Sequence, residues 1–342
     1  MRERVVLGVD GGGTKTDVCV ATSTGEVIAF ATGGGANWEG TGLEAVGDVL
    51  HRLITEALGQ CGVDRPRVAA AAFCLAGVDW DSDVDRLTPH IAALGVGGPR
   101  VLTNDSFAAL RAGTAQSAGC VSIAGTGGVA AGRDRTGRSA RTMGVAIGEG
   151  AGAWGLVNGA LAALAAEQHA SGEATDLTPR LLEATGARSV PELFEGISRG
   201  TKLIGADLAV HVLDAAVAGD AAAVRIASEC GAQHGRDVAG VARRLGMTRD
   251  TIDVVLAGSV HLRAEMHFRH AFGTAVTEVV PAARLTPLDA PPAAGAALLA
   301  MELIDIDVAA VHAHLCAAAC RARSGPTDTG ADAGTATTDT DR

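Results

Sequence analysis

Lysine is almost absent from this chain, which carries nearly all of its positive charge on arginine. Lysine occurs only at positions 15 and 202. The first of these, Lys15, follows three consecutive glycines and one threonine. Because lysine presents a compact point charge to phosphate groups, Lys15 indicates a specific anion-binding role. A chance lysine in a turn is the alternative.

Long apolar segments are also lacking. No uninterrupted run reaches the roughly 18 residues of a membrane span, although 47% of the residues are hydrophobic. Met1-Arg2-Glu3-Arg4 leads directly into an apolar strand, without a separate export signal. The formal net charge is −11 at pH 7, which argues against nucleic acid or an anionic membrane as a partner. We therefore expect a globular cytoplasmic protein that holds any bound phosphate by local contacts.

The seven cysteines lack the CxxC spacing that is typical of metal sites and redox pairs. Most of them lie within apolar runs, which favours small buried side chains over disulfides or metal ligands. The cysteines are Cys19, Cys61, Cys74, Cys120, Cys230, Cys316 and Cys320.

The segment VVLGVDGGGTKTDVCV, residues 5–20, predicts a strand, a glycine turn and a second strand. Three successive glycines remove every Cβ from the turn, so backbone N–H groups can converge on an anion. Thr14 and Lys15 add a hydroxyl donor and a cation. We expect a polyphosphate site here, with Asp10 at the end of the first strand holding Mg²⁺ through water.

Two better-known glycine loops do not fit this segment. The GxGxxG pattern is absent, and Thr14 separates the last glycine from the lysine, which excludes a P-loop. Both of those loops also open a helix, whereas this turn opens a strand. A plain β-hairpin with a glycine turn is the alternative.

The predicted elements run β-β-β-α-β-α-β-α, and the same order begins again at Gly119 with another strand, glycine turn and strand. Such a repeat predicts an α/β fold with two mixed sheets, each in its own domain, and both glycine turns facing one cleft. The predicted domains are residues 1–115 and 116–321.

Later segments are predicted mainly from composition. Alanine-rich helices are expected from Ala151 to Leu245, a buried strand over Asp253–Ala257 and another strand over Ala275–Val280. Small residues after the buried strand would let a base or ribose approach the backbone. Residues 322–342 consist largely of Thr, Asp, Gly and Ala without an apolar anchor, so a disordered tail is predicted.

Seven short motifs lie between residues 9 and 260, within a resemblance that covers roughly residues 4–303: VDGGGTKTD, GANWEGTG, CLAGVD, TNDSFAAL, SIAGTGG, GEGAG and VLAGSV. Their order and spacing together resemble the BadF/BadG/BcrA/BcrD-type ATPase family, and within it the N-acetylglucosamine kinases of the actin-like sugar kinase superfamily. The resemblance implies two actin-like (ribonuclease H-like) domains with a nucleotide cleft between them, ATP and Mg²⁺ as cofactors, and a small sugar as substrate.

The resemblance also implies a role for each matching residue. Asp105 would be the catalytic base and contact the sugar together with Asn37 and Gly77, while Asp10 would orient Mg²⁺. This agrees with the needs of phosphoryl transfer, which are positioning, charge stabilisation and one carboxylate to accept the hydroxyl proton. For Asp105, a helix N-cap is the alternative role. The residues expected to bind ATP, Lys15 included from the argument above, are Gly11, Gly12, Gly13, Thr14, Lys15, Gly125, Thr126, Gly127, Gly258 and Ser259.

One segment departs from the family pattern. The family usually has Gly-Trp-Gly ahead of Gly-Asp-Glu-Gly-Ser, where this chain has Thr142-Met143-Gly144 and then Gly148-Glu149-Gly150-Ala151. An acidic residue that helps N-acetylglucosamine kinases bind sugar hydroxyls is thereby missing, and Gly128 stands where serine is usual. Glu149 either takes over the sugar contact or lies at a helix N-terminus.

A histidine-rich stretch is a weaker candidate site. It lacks the HExxH order of zinc enzymes, and polar helices often carry solvated histidines, so a metal role is not expected. Its residues are His261, Glu265, His267 and His270.

The leading hypothesis is a kinase that uses ATP to phosphorylate an amino-sugar hydroxyl, first of all N-acetylglucosamine to its 6-phosphate. Glucosamine or another sugar or cyclitol is the alternative acceptor. A second class is an ATPase activator of a 2-hydroxyacyl-CoA dehydratase-type enzyme, which shares an iron–sulfur cluster between subunits through paired cysteines. A third is a nucleotide-binding regulator without transfer chemistry. The sequence leaves a homodimer open.

Overall fold

The computed structural model describes residues 3–263 and 265–324. From position 325 onward, the tail predicted for residues 322–342 lies outside the described residues. Its first three positions are not a tail, because the last helix continues to Ser324.

The first sheet has the strand order β3-β2-β1-β4-β5. Strand β1 pairs antiparallel with β2 and parallel with β4. The glycine turn between β1 and β2 therefore lies at the end of the sheet where β1 finishes. The strands are β1 Val5–Gly11, β2 Lys15–Thr22, β3 Val27–Gly34, β4 Ala70–Leu75 and β5 Arg100–Thr103.

The second sheet repeats this arrangement, with the order β10-β9-β6-β7-β8. Strand β6 pairs antiparallel with β7 and parallel with β9. The predicted α/β fold with two matching mixed sheets is confirmed. The strands are β6 Gly119–Ala124, β7 Gly128–Arg133, β8 Ser139–Arg141, β9 Asp253–Ala257 and β10 Arg284–Pro287.

Helices connect and cover the two sheets. In the part of the chain that the structure describes, no helix combines the length and hydropathy of a membrane span. The helices of the first half are α1 Trp38–Thr41, α2 Leu43–Cys61, α3 Asp81–Ala93 and α4 Asp105–Gly113, with a 3₁₀ helix at Arg65–Arg67. Those of the second half are α5 Gly152–Gln168, α6 Leu177–Thr185, α7 Val190–Ser198, α8 Ala209–Val217, α9 Ala221–Leu245, α10 Ser259–Arg263, α11 Met266–Thr277, α12 Pro292–Glu302 and α13 Val308–Ser324, with a 3₁₀ helix at Ala206–Leu208.

The strand predicted over Ala275–Val280 is wrong. The first half of this segment, residues 275–277, belongs to helix α11, in which Phe268, Phe272 and Val276 follow one another at four-residue spacing and are buried. This face packs on α9. A short apolar run fits a buried strand and a buried helix equally well, so its pattern could not separate them. The strand that pairs with β9 is β10.

The two last helices pack on the first sheet, although the predicted division assigns them to the second domain. Buried side chains of α12 and α13 form one apolar cluster with β1, β2 and β4. The approach of α12 is close because a Cβ at Gly8 would overlap its backbone at Ala293 and Ala297, and a Cβ at Gly295 would overlap the backbone of α4 at Ala108. Where the chain divides into domains stays a prediction.

We expect Gly295→Ala to lower the free energy of unfolding by about 1–3 kcal/mol or more, because the added methyl group meets backbone atoms that cannot rotate away. Gly47→Ala is the matched control, since Gly47 also lies inside a helix but has open space at its Cβ. That control should be neutral or stabilise the protein by up to about 1 kcal/mol. Urea unfolding of both variants measures the difference. Equal stability of the two would contradict the close packing of α12 on α4.

Candidate active site

A cavity of about 480 Å³ lies between the two sheets and is lined by residues from both. It contains the predicted metal ligand, the predicted base and parts of both predicted phosphate loops. Its lining residues are Asp10, Gly12, Gly13, Thr14, Lys15, Asp105, Ala109, Ile123, Gly125, Ala257, Gly258, Leu262, Leu288, Asp289, Ala290, Pro292 and Arg323.

The turn between β1 and β2 presents only part of its backbone to this cavity. The N–H of Gly12 donates to the carbonyl oxygen of Lys15 (2.8 Å) and is therefore used by the turn itself. Gly13 and Thr14 are exposed, and a Cβ at Gly13 would meet no atom within 4 Å. The turn therefore offers its open face to a ligand at these two residues.

Gly11, which the sequence analysis counts among the phosphate ligands, is not among the residues that line the cavity. It is buried in the sheet, where its carbonyl oxygen accepts the N–H of Ala76 (2.7 Å). A Cβ on it would press against Leu75 and Ala36. Gly11 is required for packing at the base of the turn.

Lys15 also forms an ion pair within the first sheet, which the sequence analysis did not predict. Its Nζ lies 2.7 Å from Oδ2 of Asp17, whose side chain is fully buried. The other carboxylate oxygen of Asp17 accepts the hydroxyl of Thr32 (2.8 Å). Lys15 therefore neutralises a buried carboxylate while half of its side chain stays exposed at the cavity.

On the opposite side, Gly125 and Gly258 form the cavity wall. Gly258 adopts φ +88°, and a Cβ on it would overlap Ala124 and the N–H of Gly125, so this position requires glycine. Three further predicted ATP ligands do not line the cavity: Thr126, Gly127 and Ser259. The carbonyl of Thr126 accepts the N–H of Trp154 (3.3 Å), which ties this loop to the start of α5.

Asp105 is the first residue of α4 but is not its N-cap. The cap is Asn104, whose Oδ1 accepts the N–H of Ser106 (3.1 Å). The alternative role that the sequence left open for Asp105 is therefore wrong. Burial, together with the nearby carboxylate of Asp79, raises the pKa of Asp105 to about 6. A carboxylate with a raised pKa that lines a cleft is suited to accept a proton.

Asp10 lies at the end of β1 in the same cavity. Burial and the carboxylates of Asp105 and Asp17 raise its pKa well above the ordinary value. Within residues 3–263 and 265–324, no cluster of three or more His, Cys, Asp or Glu side chains is arranged to hold a metal ion. Mg²⁺ usually needs only one or two carboxylates beside phosphate oxygens and waters, so Asp10 fits such an ion.

The predicted sugar loop, residues 35–42 of the GANWEGTG motif, lies against the end of β4. Asn37 caps α1 by accepting the N–H of Glu39 at its Oδ1 (3.1 Å), and the indole N–H of Trp38 donates to the carbonyl of Gly77 (2.5 Å). Gly77 adopts φ +78°, and a Cβ on it would run into the Asn37 side chain. The structure thus brings Asn37 and Gly77 together, as their shared prediction requires.

A pair of charges that the sequence analysis missed joins the two halves beside this loop. Arg141 at the end of β8 contacts Asp79 after β4, with Nη2 3.0 Å from Oδ1 and Nη1 donating to the backbone carbonyl (3.0 Å). Asn104 also donates to Asp79 Oδ1 (2.9 Å). The available signal was positional, because Asp79 and Asn104 each follow the end of a parallel strand.

Glu149 is held by its own loop. Its Oε1 accepts the N–H groups of Val145 (2.6 Å) and Ala146 (3.1 Å). Helix α5 begins only at Gly152, with Ala151 as its cap residue, so Glu149 does not cap that helix. The predicted sugar contact of Glu149 stays a prediction.

The histidine-rich stretch does not assemble a site. His261 is buried, with Nε2 2.9 Å from the hydroxyl oxygen of Ser122, whereas Glu265 caps α11 by accepting the N–H groups of His267 and Phe268. Burial lowers the pKa of His261 to about 3, so this imidazole is neutral and forms part of the core.

A model of the BadF/BadG/BcrA/BcrD ATPase family matches residues 7–300. The chain belongs to this family. The match runs from β1 through most of α12 and so includes both sides of the cavity. It confirms the family that the seven motifs indicated.

Two curated relatives carry kinase names. An N-acetylmuramic acid/N-acetylglucosamine kinase of Clostridium acetobutylicum is 31% identical over 75% of this chain and 85% of its own length. An N-acetyl-D-glucosamine kinase of Dictyostelium discoideum is 28% identical over 42% of this chain and 48% of its own length, so the match spans about half of that relative. These names agree with the prediction of a kinase.

Solved structures show the same fold. A Chromobacterium violaceum protein with a provisional N-acetylglucosamine kinase assignment has a TM-score of 0.65 at 23% identity and covers 86% of this chain and 98% of its own. A ROK family glucokinase from Streptomyces griseus, in complex with glucose and AMPPNP, has a TM-score of 0.51 at 20% identity and covers 87% and 99%.

We expect Gly13→Ala to weaken ATP binding by roughly 10-fold or more without loss of stability, because its Cβ would occupy space at the open face of the turn. Gly34→Ala is the matched control, since Gly34 also has open space at its Cβ but does not line the cavity. Isothermal titration with Mg-ATP measures both. If Gly13→Ala binds ATP as the parent does, the turn does not hold phosphate.

Proposed function

We propose that the protein is a kinase that transfers the γ-phosphoryl group of ATP to a hydroxyl of an amino sugar, with N-acetylglucosamine and its 6-phosphate as the first assignment. The observation that supports this most strongly is the shared cavity, in which the open turn at Gly13 and Thr14 and the Asp105 carboxylate face one space. This combines a polyphosphate cradle with a proton acceptor.

Transfer needs three contributions from the chain. The Gly13–Thr14 backbone and the Thr14 hydroxyl hold the phosphates, and Asp105 accepts the proton of the attacking hydroxyl. Asp10 would hold Mg²⁺, which when bound neutralises phosphate charge and orients the transferred group. The raised pKa of Asp105, caused by burial and by Asp79, suits a base that must take a proton near neutral pH.

The acceptor would lie beside Asp105, among the polar groups that converge there. Asp79 and Arg141 supply a carboxylate and a guanidinium, and Asn37 supplies an amide. Such a mixture of donors and acceptors suits a hydroxyl-rich sugar. The name of the Clostridium relative adds N-acetylmuramic acid as an acceptor to be compared with N-acetylglucosamine and glucosamine. The cytoplasmic location and the homodimer stay predictions.

The cysteines do not favour the dehydratase-activator alternative. Cys19, Cys74, Cys120 and Cys316 are buried. Burial raises the pKa of Cys19 and Cys120 to about 12, which keeps these thiols protonated and poor cluster ligands. A brown purified protein with cluster absorbance would instead support that class.

The decisive experiment for the proposal measures ADP release from Mg-ATP against N-acetylglucosamine, N-acetylmuramic acid, glucosamine and glucose. We expect the highest kcat/KM for an N-acetylated amino sugar. Asp105→Asn should lower turnover by about 10²- to 10⁴-fold while ATP affinity stays close to that of the parent, because the amide keeps the shape and loses the proton acceptor. Normal turnover by this variant would rule out Asp105 as the base.

Glu149→Gln tests the sugar contact separately from the loop. The glutamine oxygen can still accept the N–H groups of Val145 and Ala146, so the loop should keep its shape while the charge is lost. If Glu149 also holds a sugar hydroxyl, KM for the preferred sugar should rise by roughly 10- to 150-fold. Glu149→Ala removes the loop contacts together with any sugar contact, so the difference between the two variants measures the contribution of the loop. An unchanged KM in Glu149→Gln would limit Glu149 to closing the loop.

A further inference from the structure

The C-terminal helix α13 ends at the nucleotide cavity. Leu315 and Ala319 are buried against the first sheet and α12, and the thiol of Cys320 donates to the carbonyl of Asp289 (3.4 Å), a residue of the cavity wall. Arg323 in the last turn lines the same cavity as Thr14. The packed part of the helix therefore fixes where this arginine lies.

The guanidinium of Arg323 is available to bind an anionic ligand in the cavity. Lys15, the other cation in the cavity wall, is paired with Asp17. Arg323 is exposed, and among residues 3–263 and 265–324 no carboxylate forms an ion pair with it. Arg323 lines the same cavity as Asp10, the predicted metal ligand.

A polyphosphate is the ligand chemistry that this position fits. Guanidinium groups are always charged and present a planar set of N–H donors that matches phosphoryl oxygens in a bidentate manner. The turn at Gly13 and Thr14 supplies neutral donors, and its lysine is shared with Asp17. An additional cation would offset phosphate charge that these groups leave uncompensated.

We propose that Arg323 binds a phosphoryl oxygen of ATP, so that the C-terminal helix contributes a nucleotide-binding residue to a site otherwise built from the two sheets. This inference rests on the proposed function only in taking ATP as the nucleotide. It makes no use of the sugar acceptor or of the transfer step.

The test compares the affinities of Arg323→Gln and the parent for Mg-ATP, Mg-ADP and adenosine by isothermal titration of the full chain. We expect ATP binding to weaken by roughly 5- to 50-fold, with ADP also weakened and adenosine unchanged. The lower end of this range reflects solvent screening of an exposed guanidinium. Arg323→Lys should recover part of the loss, because it keeps the charge without the bidentate geometry.

Arg321→Gln is the matched control, since Arg321 is an exposed arginine of the same helix end that does not line the cavity. It should bind all three ligands as the parent does. ATP affinity of Arg323→Gln within twofold of the parent would overturn the proposal, and so would an equal loss for adenosine, which would indicate a base contact or a disturbed cavity. A parent that binds ATP but phosphorylates no sugar would contradict the proposed kinase and leave this inference standing.

Discussion

Carboxylates crowd the cleft, and the site depends on how their negative charges are offset. Asp17 is paired with Lys15 inside the first sheet, and Asp79 is paired with Arg141 from the second. The predicted metal ligand and the predicted base have no ion-pair partner among the described residues. Because burial of like charges is costly, this arrangement favours a bound cation beside the carboxylates, as the prediction of Mg²⁺ at Asp10 requires.

Among the described residues, ion pairs join the two halves of the molecule at two separate places. The pair between Arg141 and Asp79 lies beside the predicted sugar loop. Elsewhere, Glu302 at the end of α12 binds Arg111 of α4 (2.8 Å) and Arg133 of β7 (2.6 Å). The apolar cluster of α12 and α13 adds a larger and non-directional contribution on the side of the first sheet. The position of each glycine turn relative to the other therefore depends on contacts distant in sequence.

Much of this arrangement could be predicted because it is local. The strand, glycine turn and strand at residues 5–20 follow from apolar alternation and from three glycines. The repeat at Gly119 predicts a second sheet of the same kind, and the sheets do share their strand order. Predictions failed where one local pattern fits two structures. The segment Ala275–Val280 is apolar enough for a strand, but α9 provides a helical surface that it packs against.

The two turns, the order of elements and the family could be recognised from the sequence, since they depend on residues that lie close together in the chain. Which of these residues face the cavity depends on the tertiary structure. Gly11 packs inside the sheet, and Lys15 forms an ion pair with Asp17. Asn104 is the N-cap of α4, so Asp105 is not used as a cap. It also brought Arg323 to the cavity of a turn more than 300 positions earlier in the chain. The physical reason is that burial and charge pairing depend on distances in space. The packing of α12 and α13 on the first sheet sets these distances, and no local sequence pattern predicts them.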